Sequence, residues 1–145
     1  MGDHSTFDKI EVLQGGCLCQ AIQFEVTNQF THFHLCHCYQ CQKMTGSAHV
    51  SNLFTTKDAI KWLQGETETK RYTVPGRQLT SVFCQHCGSP VPHIASSGKS
   101  LIVPAGSLEG EPNLLPQDHI FMGESRKWHE HIDEAICFSH FPESK

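Results

Sequence analysis

Leu35-Cys36-His37-Cys38-Tyr39-Gln40-Cys41 is the stretch that decides the fold. Isolated cysteines serve a core as small apolar residues, but a dense knot of thiols suits a metal ion far better. Working outward, Cys17-x-Cys19 lies upstream and Cys84-x-x-Cys87-Gly88 downstream, so seven of the eight cysteines fall in three knots. A structural zinc takes four protein ligands, whereas a reactive zinc keeps one position open. Seven thiols therefore divide most simply as four plus three. Cys84 and Cys87 can reach one metal from a tight turn, with Gly88 free to take the positive φ such a turn needs. Cys17 and Cys19 sit two apart at a strand entry, so both thiols can face one way. Neither pair suffices alone; together they make a four-cysteine set. Cys36, Cys38 and Cys41 can wrap a second metal, Cys41 lying about one helical turn after Cys38. Two other readings stay open: one structural zinc beside three free thiols, or an iron–sulfur cluster.

The rest of the composition narrows the class. A chain of 145 residues suits a single domain, taken as residues 1–145 with a core over about 13–128. Its formal charge of -4 and only 11 Lys and Arg argue against a basic nucleic-acid surface. No apolar run approaches the roughly 20 residues of a membrane-spanning helix. Met1–Glu11 is polar and acidic, unlike a secretory leader, and eight cysteines suit a reducing compartment, so the expected location is the cytoplasm.

Periodicity predicts a mostly β chain. Ile22, Phe24 and Val26 alternate with Gln23 and Glu25, which is a half-buried strand over 20–26. Similar short runs occur at 31–35, 48–54, 60–63, 67–73, 79–83 and 101–103, parted by Gln64-Gly65, Pro75-Gly76 and Ser97-Gly98. Tyr39–Thr45 reads as the single short helix, with Gly46 just past its end. From Glu109 to Glu124 prolines and glycines predict extended backbone over the sheet, with a final strand near 119–122 and fraying from Ser139.

The order Gly16-Cys17-x-Cys19, then Leu35-Cys36-His37-Cys38-x-x-Cys41-x-x-x-x-Gly46-Ser47, then Phe83-Cys84-x-x-Cys87-Gly88-Ser89-Pro90 resembles the glutathione-dependent formaldehyde-activating enzyme family, which includes centromere protein V. Ala105-Gly106-Ser107-Leu108 and Pro116-x-x-His119-Ile120-Phe121, with Trp128 beyond, resemble its C-terminal signature. The resemblance implies a zinc-stapled, Mss4-like β-tent of short antiparallel strands with two Zn2+ per chain. It also implies that Cys17, Cys19, Cys84 and Cys87 hold the structural zinc, and that Cys36, Cys38 and Cys41 hold the catalytic one. Two departures are Gln20, where the family usually has glycine, and Pro90-Val91-Pro92, awkward in a central strand.

Three thiolates leave zinc a weak Lewis acid but a good host for an incoming thiol. A thiolate joined to an aldehyde gives a hydroxymethyl thioether, and the reverse reaction cleaves a carbon–sulfur bond. The expected activity is thus that of a carbon–sulfur lyase acting on a small thiol adduct such as S-hydroxymethylglutathione. The competing expectation is a non-catalytic zinc-stapled module that recruits a protein partner. A methionine sulfoxide reductase fits worse, because Cys137 lacks the Arg-x-Cys-x-Asn setting of that nucleophile. His37, His49, His86, His93 and His119 are candidate proton carriers, His37 with the reservation that alternation turns it from the metal. Lys43, Arg71 and Arg77 are candidate carboxylate partners, though solvated charge is the plainer role for each. Trp128 and Phe121 read as core or pocket residues, and Cys137 as a buried or incidental thiol.

Overall fold

The computed structural model describes residues 10–142. The alternation of Ile22, Phe24 and Val26 does what period two requires: all three side chains are fully buried. Their strand, β2 (Gln23–Thr27), lies between β1 (Val12–Gly16) and β5 (Ile60–Gln64) in a three-stranded antiparallel sheet. Sequence reading missed β1, whose Gln14, Gly15 and Gly16 give little apolar signal. Gly15 is needed there because it faces Phe24 across the ladder, and a Cβ would come within 2.5 Å of that ring.

A second sheet has β3 (His32–Cys36), β4 (Val50–Thr56), β8 (His93–Ile94), β9 (Ser100–Pro104) and β10 (Asp118–Ile120) in the order β10-β3-β4-β9-β8. The strands are not all antiparallel as expected: β10 runs parallel to β3, since the chain returns over the sheet before pairing. β6 (Thr69–Thr73) and β7 (Thr80–Cys84) form a separate hairpin. The two prolines at 90 and 92 are accommodated because Val91 between them donates its N–H to Val82, and β8 begins only after them at a sheet edge.

The one α-helix among the described residues, α1, spans Tyr39–Thr45 and ends at Gly46 with φ 69°, as the sequence predicts. Irregular 3-10 turns cover Lys127–Glu134, beyond the stretch from Glu109 to Glu124 that the sequence reads as extended. Residues 139–142 are exposed without a regular element, and the remaining three lie outside the described residues. Leu13, Val26, Phe30, Phe33, Leu53, Leu101 and Val103 build one core. Ile22, Phe24, Val82 and Val91 build another, which also buries Cys17 and Cys84. Trp128 and Phe121 belong to neither, being 53% and 56% exposed.

Candidate metal centres

Each thiol is placed by a local turn. Cys17 leaves β1 and donates its backbone N–H to Ile22 O at 3.1 Å, while the Ile22 N–H points at Cys17 Sγ at 3.3 Å. This turn puts Gln20 at φ 69°, the left-handed conformation that glycine adopts without strain. The downstream knot closes when Gly88 donates to Cys84 O at 2.8 Å, with Gly88 itself at φ 80° and His86 N–H at 3.3 Å from Cys84 Sγ. Ser89 ties the two knots together. Its hydroxyl accepts the Leu18 N–H at 3.0 Å and lies 3.2 Å from Cys87 Sγ.

The result is a group of four thiols, Cys17, Cys19, Cys84 and Cys87, within 4.8 Å of one another. Cys17 and Cys19 are 3.7 Å apart, and Cys19 and Cys84 3.8 Å. A tetrahedral zinc with bonds of about 2.3 Å requires sulfur–sulfur distances of about 3.8 Å. No pair forms a disulfide. Neighbouring groups move two of these thiols in opposite directions. The Ser89 hydroxyl holds Cys87 down at about 5. The Ala21 amide also draws Cys19 down, but burial and the neighbouring thiols outweigh it and lift that thiol to about 11. A divalent cation favours the deprotonated form of each, so the donor set fits a metal.

Cys36, Cys38 and Cys41 form the second group, again within 4.8 Å. Cys38 is the N-cap of α1, and its Sγ accepts the Cys41 N–H at 3.3 Å while lying 3.2 Å from Cys41 Sγ. Burial pushes both the Cys36 and Cys41 thiols up. Among the described residues no further Cys, His, Asp or Glu joins this group. Helix α1 is held from outside as well: Gln42 Nε2 donates to His37 O at 2.7 Å and Glu124 O at 2.9 Å.

Cys41 opens onto a cavity of about 120 Å³ whose wall includes Met44, Asn52, Leu79, Thr80 and His93. His93 also borders a groove of about 360 Å³ containing Arg71 and Lys57, so it lines both spaces. Its Nδ1 is buried without a partner, and burial pulls its pKa down, so the ring is neutral. Sequence offered His93 only as one histidine among many, since β8 is too short to show which way it faces.

The other candidates lie elsewhere. His37 turns away from the thiols and bonds through Nε2 to His119 Nδ1 at 2.9 Å. His49 packs on His37, with ring centroids 5.0 Å apart. His86 is exposed and pairs with Glu68 at 2.6 Å. Lys43 and Arg77 are exposed and line neither space, whereas Arg71 reaches only the larger groove. Cys137 is exposed rather than buried and, among the described residues, joins no group of potential ligands, because the chain around it lies outside the core.

The family model described as glutathione-dependent formaldehyde-activating enzyme matches residues 12–124, which include both thiol groups. A crystal structure of a Rhodobacter sphaeroides protein is similar in fold, with a TM-score of 0.58 at 20% sequence identity. The alignment covers 73% of this chain and 98% of that one. No curated protein matches the sequence. No helix among the described residues is long and apolar enough to cross a membrane.

Proposed function

The chain belongs to the glutathione-dependent formaldehyde-activating enzyme family, and from that premise we propose that it is a zinc-dependent carbon–sulfur lyase. Its substrate is an adduct of a small thiol, such as S-hydroxymethylglutathione, and its site is the Cys36, Cys38 and Cys41 group. The observation that carries this reading is that, among the described residues, three potential protein ligands and no fourth converge there, beside a cavity. Cys17, Cys19, Cys84 and Cys87 hold a second, structural zinc whose loss would open the core containing Cys17 and Cys84.

A zinc on three thiolates supplies a soft position where a substrate sulfur is stabilised as thiolate. The protein does the rest. Met44 and Leu79 keep the cavity wall apolar, while Asn52 and Thr80 offer polar groups to the hydroxymethyl oxygen. The ring of His93, neutral and part of this cavity's wall, is the group suited to take the hydroxyl proton. The carbon–sulfur bond then breaks with its electron pair passing to sulfur, leaving an aldehyde and a thiolate, and return of the proton from His93 gives the free thiol. A tripeptide is too large for a space of about 120 Å³. Its remaining atoms extend into the adjoining groove, where Arg71 and Lys57 suit its carboxylates.

The test is cobalt substitution followed by glutathione. Entry of an exogenous thiolate at the three-cysteine site alters the charge-transfer absorption of its metal, and an unchanged spectrum counts against the lyase. A second reading, a zinc-stapled module that binds a protein partner, is favoured by the exposed apolar residues Ile132, Ile136, Phe138 and Phe141. An unchanged spectrum together with absent turnover favours that module. On either reading the protein acts in the cytoplasm.

A further inference from the structure

A third cluster of potential ligands lies beside the three-cysteine group. One ring nitrogen from each of His37, His119 and His129 falls within 4.8 Å of the other two. His49 packs against them, its ring centroid 5.0 Å from that of His37 and 5.9 Å from that of His129. Strand register puts the cluster on its own face. Cys36 pairs with Val50 on β4 and with Ile120 on β10, so those side chains share one side of the sheet. His37, His49 and His119 each lie one residue away from this row and point to the other side. The backbone at His37 continues the ladder, its N–H donating to Ile120 O at 2.9 Å.

Histidine–histidine contacts do not satisfy this cluster. A neutral imidazole carries one N–H and one lone pair. The 2.9 Å contact from His37 Nε2 to His119 Nδ1 uses one nitrogen on each ring. His37 is fully buried, and its Nδ1 and that of His129 are buried without a partner. His129 comes from the Lys127–Glu134 segment, whose own hydrogen bonds among the described residues are local, such as His129 N–H to Arg126 O. The histidine cluster thus joins that segment to the sheet through His129.

We propose that His37, His119 and His129 bind a third divalent metal ion, zinc or a similar imidazole-preferring cation, that clamps the C-terminal segment to the sheet. Imidazoles select such ions without needing a thiolate. A tetrahedral zinc with bonds of about 2.0–2.1 Å places nitrogens about 3.3 Å apart, which small ring rotations reach from the observed cluster. The thiolate groups are stronger ligands for these ions, so this site fills last.

The test uses the full chain, stripped of metal under reducing conditions and titrated with Co2+. Three equivalents bind. The first two bring intense thiolate-to-cobalt charge-transfer bands, and the third adds only weak ligand-field absorption. His119→Gln and His129→Gln, both changes outside the core, each abolish the third equivalent and leave the thiolate bands intact. The third equivalent also protects the Arg126–Lys127 region from trypsin in the parent chain and not in His129→Gln. A titration that ends at two equivalents overturns the proposal, as does a third equivalent that survives His129→Gln. The thiolate bands report the cysteine groups separately, so failure here is distinguishable from failure of the lyase reading.

Discussion

The carboxylate of Glu124 accepts the backbone N–H of Tyr39 at 2.8 Å, so a residue 85 positions downstream closes the start of the helix that carries Cys41. A helix N-terminus has unpaired N–H groups and favours negative charge, which gives this contact both a hydrogen bond and a favourable field. Glu124→Ala is expected to lower stability by about 1–2 kcal/mol and to speed zinc loss from the three-cysteine site. Glu124→Gln keeps an acceptor and recovers most of both effects. Urea unfolding and zinc transfer to a chromophoric chelator read them, and no change in either for Glu124→Ala refutes the positioning role.

The two thiol groups predict opposite outcomes for the same substitution. Cys38→Ser removes a thiolate but retains a hydroxyl at the N-cap, where serine is favoured, so the helix keeps its cap. It should fold, bind one metal fewer by elemental analysis, and lose turnover of the thiol adduct. Cys84 is fully buried in the second core. Cys84→Ser should lose the ordered fold by circular dichroism, and chelation of the parent chain should do likewise. Full activity in Cys38→Ser refutes the site assignment.

Gln20 occupies a left-handed turn at φ 69° while its backbone groups carry the turn's hydrogen bonds. An L-residue there is strained by about 1–2 kcal/mol, and part of the gain from glycine is offset by its greater unfolded-state freedom. Gln20→Gly should therefore raise stability by about 1 kcal/mol, seen as a higher thermal midpoint. A lower midpoint means the glutamine side chain makes a compensating contact.

His93 sets an acid dependence. Burial lowers its pKa from the ordinary 6.5, so the unfolded chain takes up the proton first as pH falls. Its contribution to stability is complete above about 6.5 and is lost as pH drops from there through the folded value. His93→Gln should flatten the stability profile in that window, measured by urea unfolding from pH 7 to 5. An unchanged slope shows that His93 is not buried as a neutral ring.

Much of the fold was legible locally. Ile22, Phe24 and Val26 identified β2 because a strand buries every second residue. Tyr39–Thr45 followed from its length and from Gly46, whose positive φ ends the helix. β1 was missed because Gly15 and Gly16 hide its pattern, and β8 because two residues cannot show one. The parallel pairing of β10 with β3 depends on where a long connection returns, and no local pattern encodes that.

By itself the sequence determined the inventory of thiols, because cysteine count and spacing are local chemistry. Seven clustered thiols divide most simply as a four and a three. Only the tertiary structure decided what surrounds them. Cys17 and Cys84 lie 67 positions apart, yet they share one core and one ligand group. His93 meets the Cys41 cavity from another strand, and His37 leaves the thiols to join His119 and His129. Such neighbours are set by strand order and register across the whole chain, which act over distances that residue spacing does not carry.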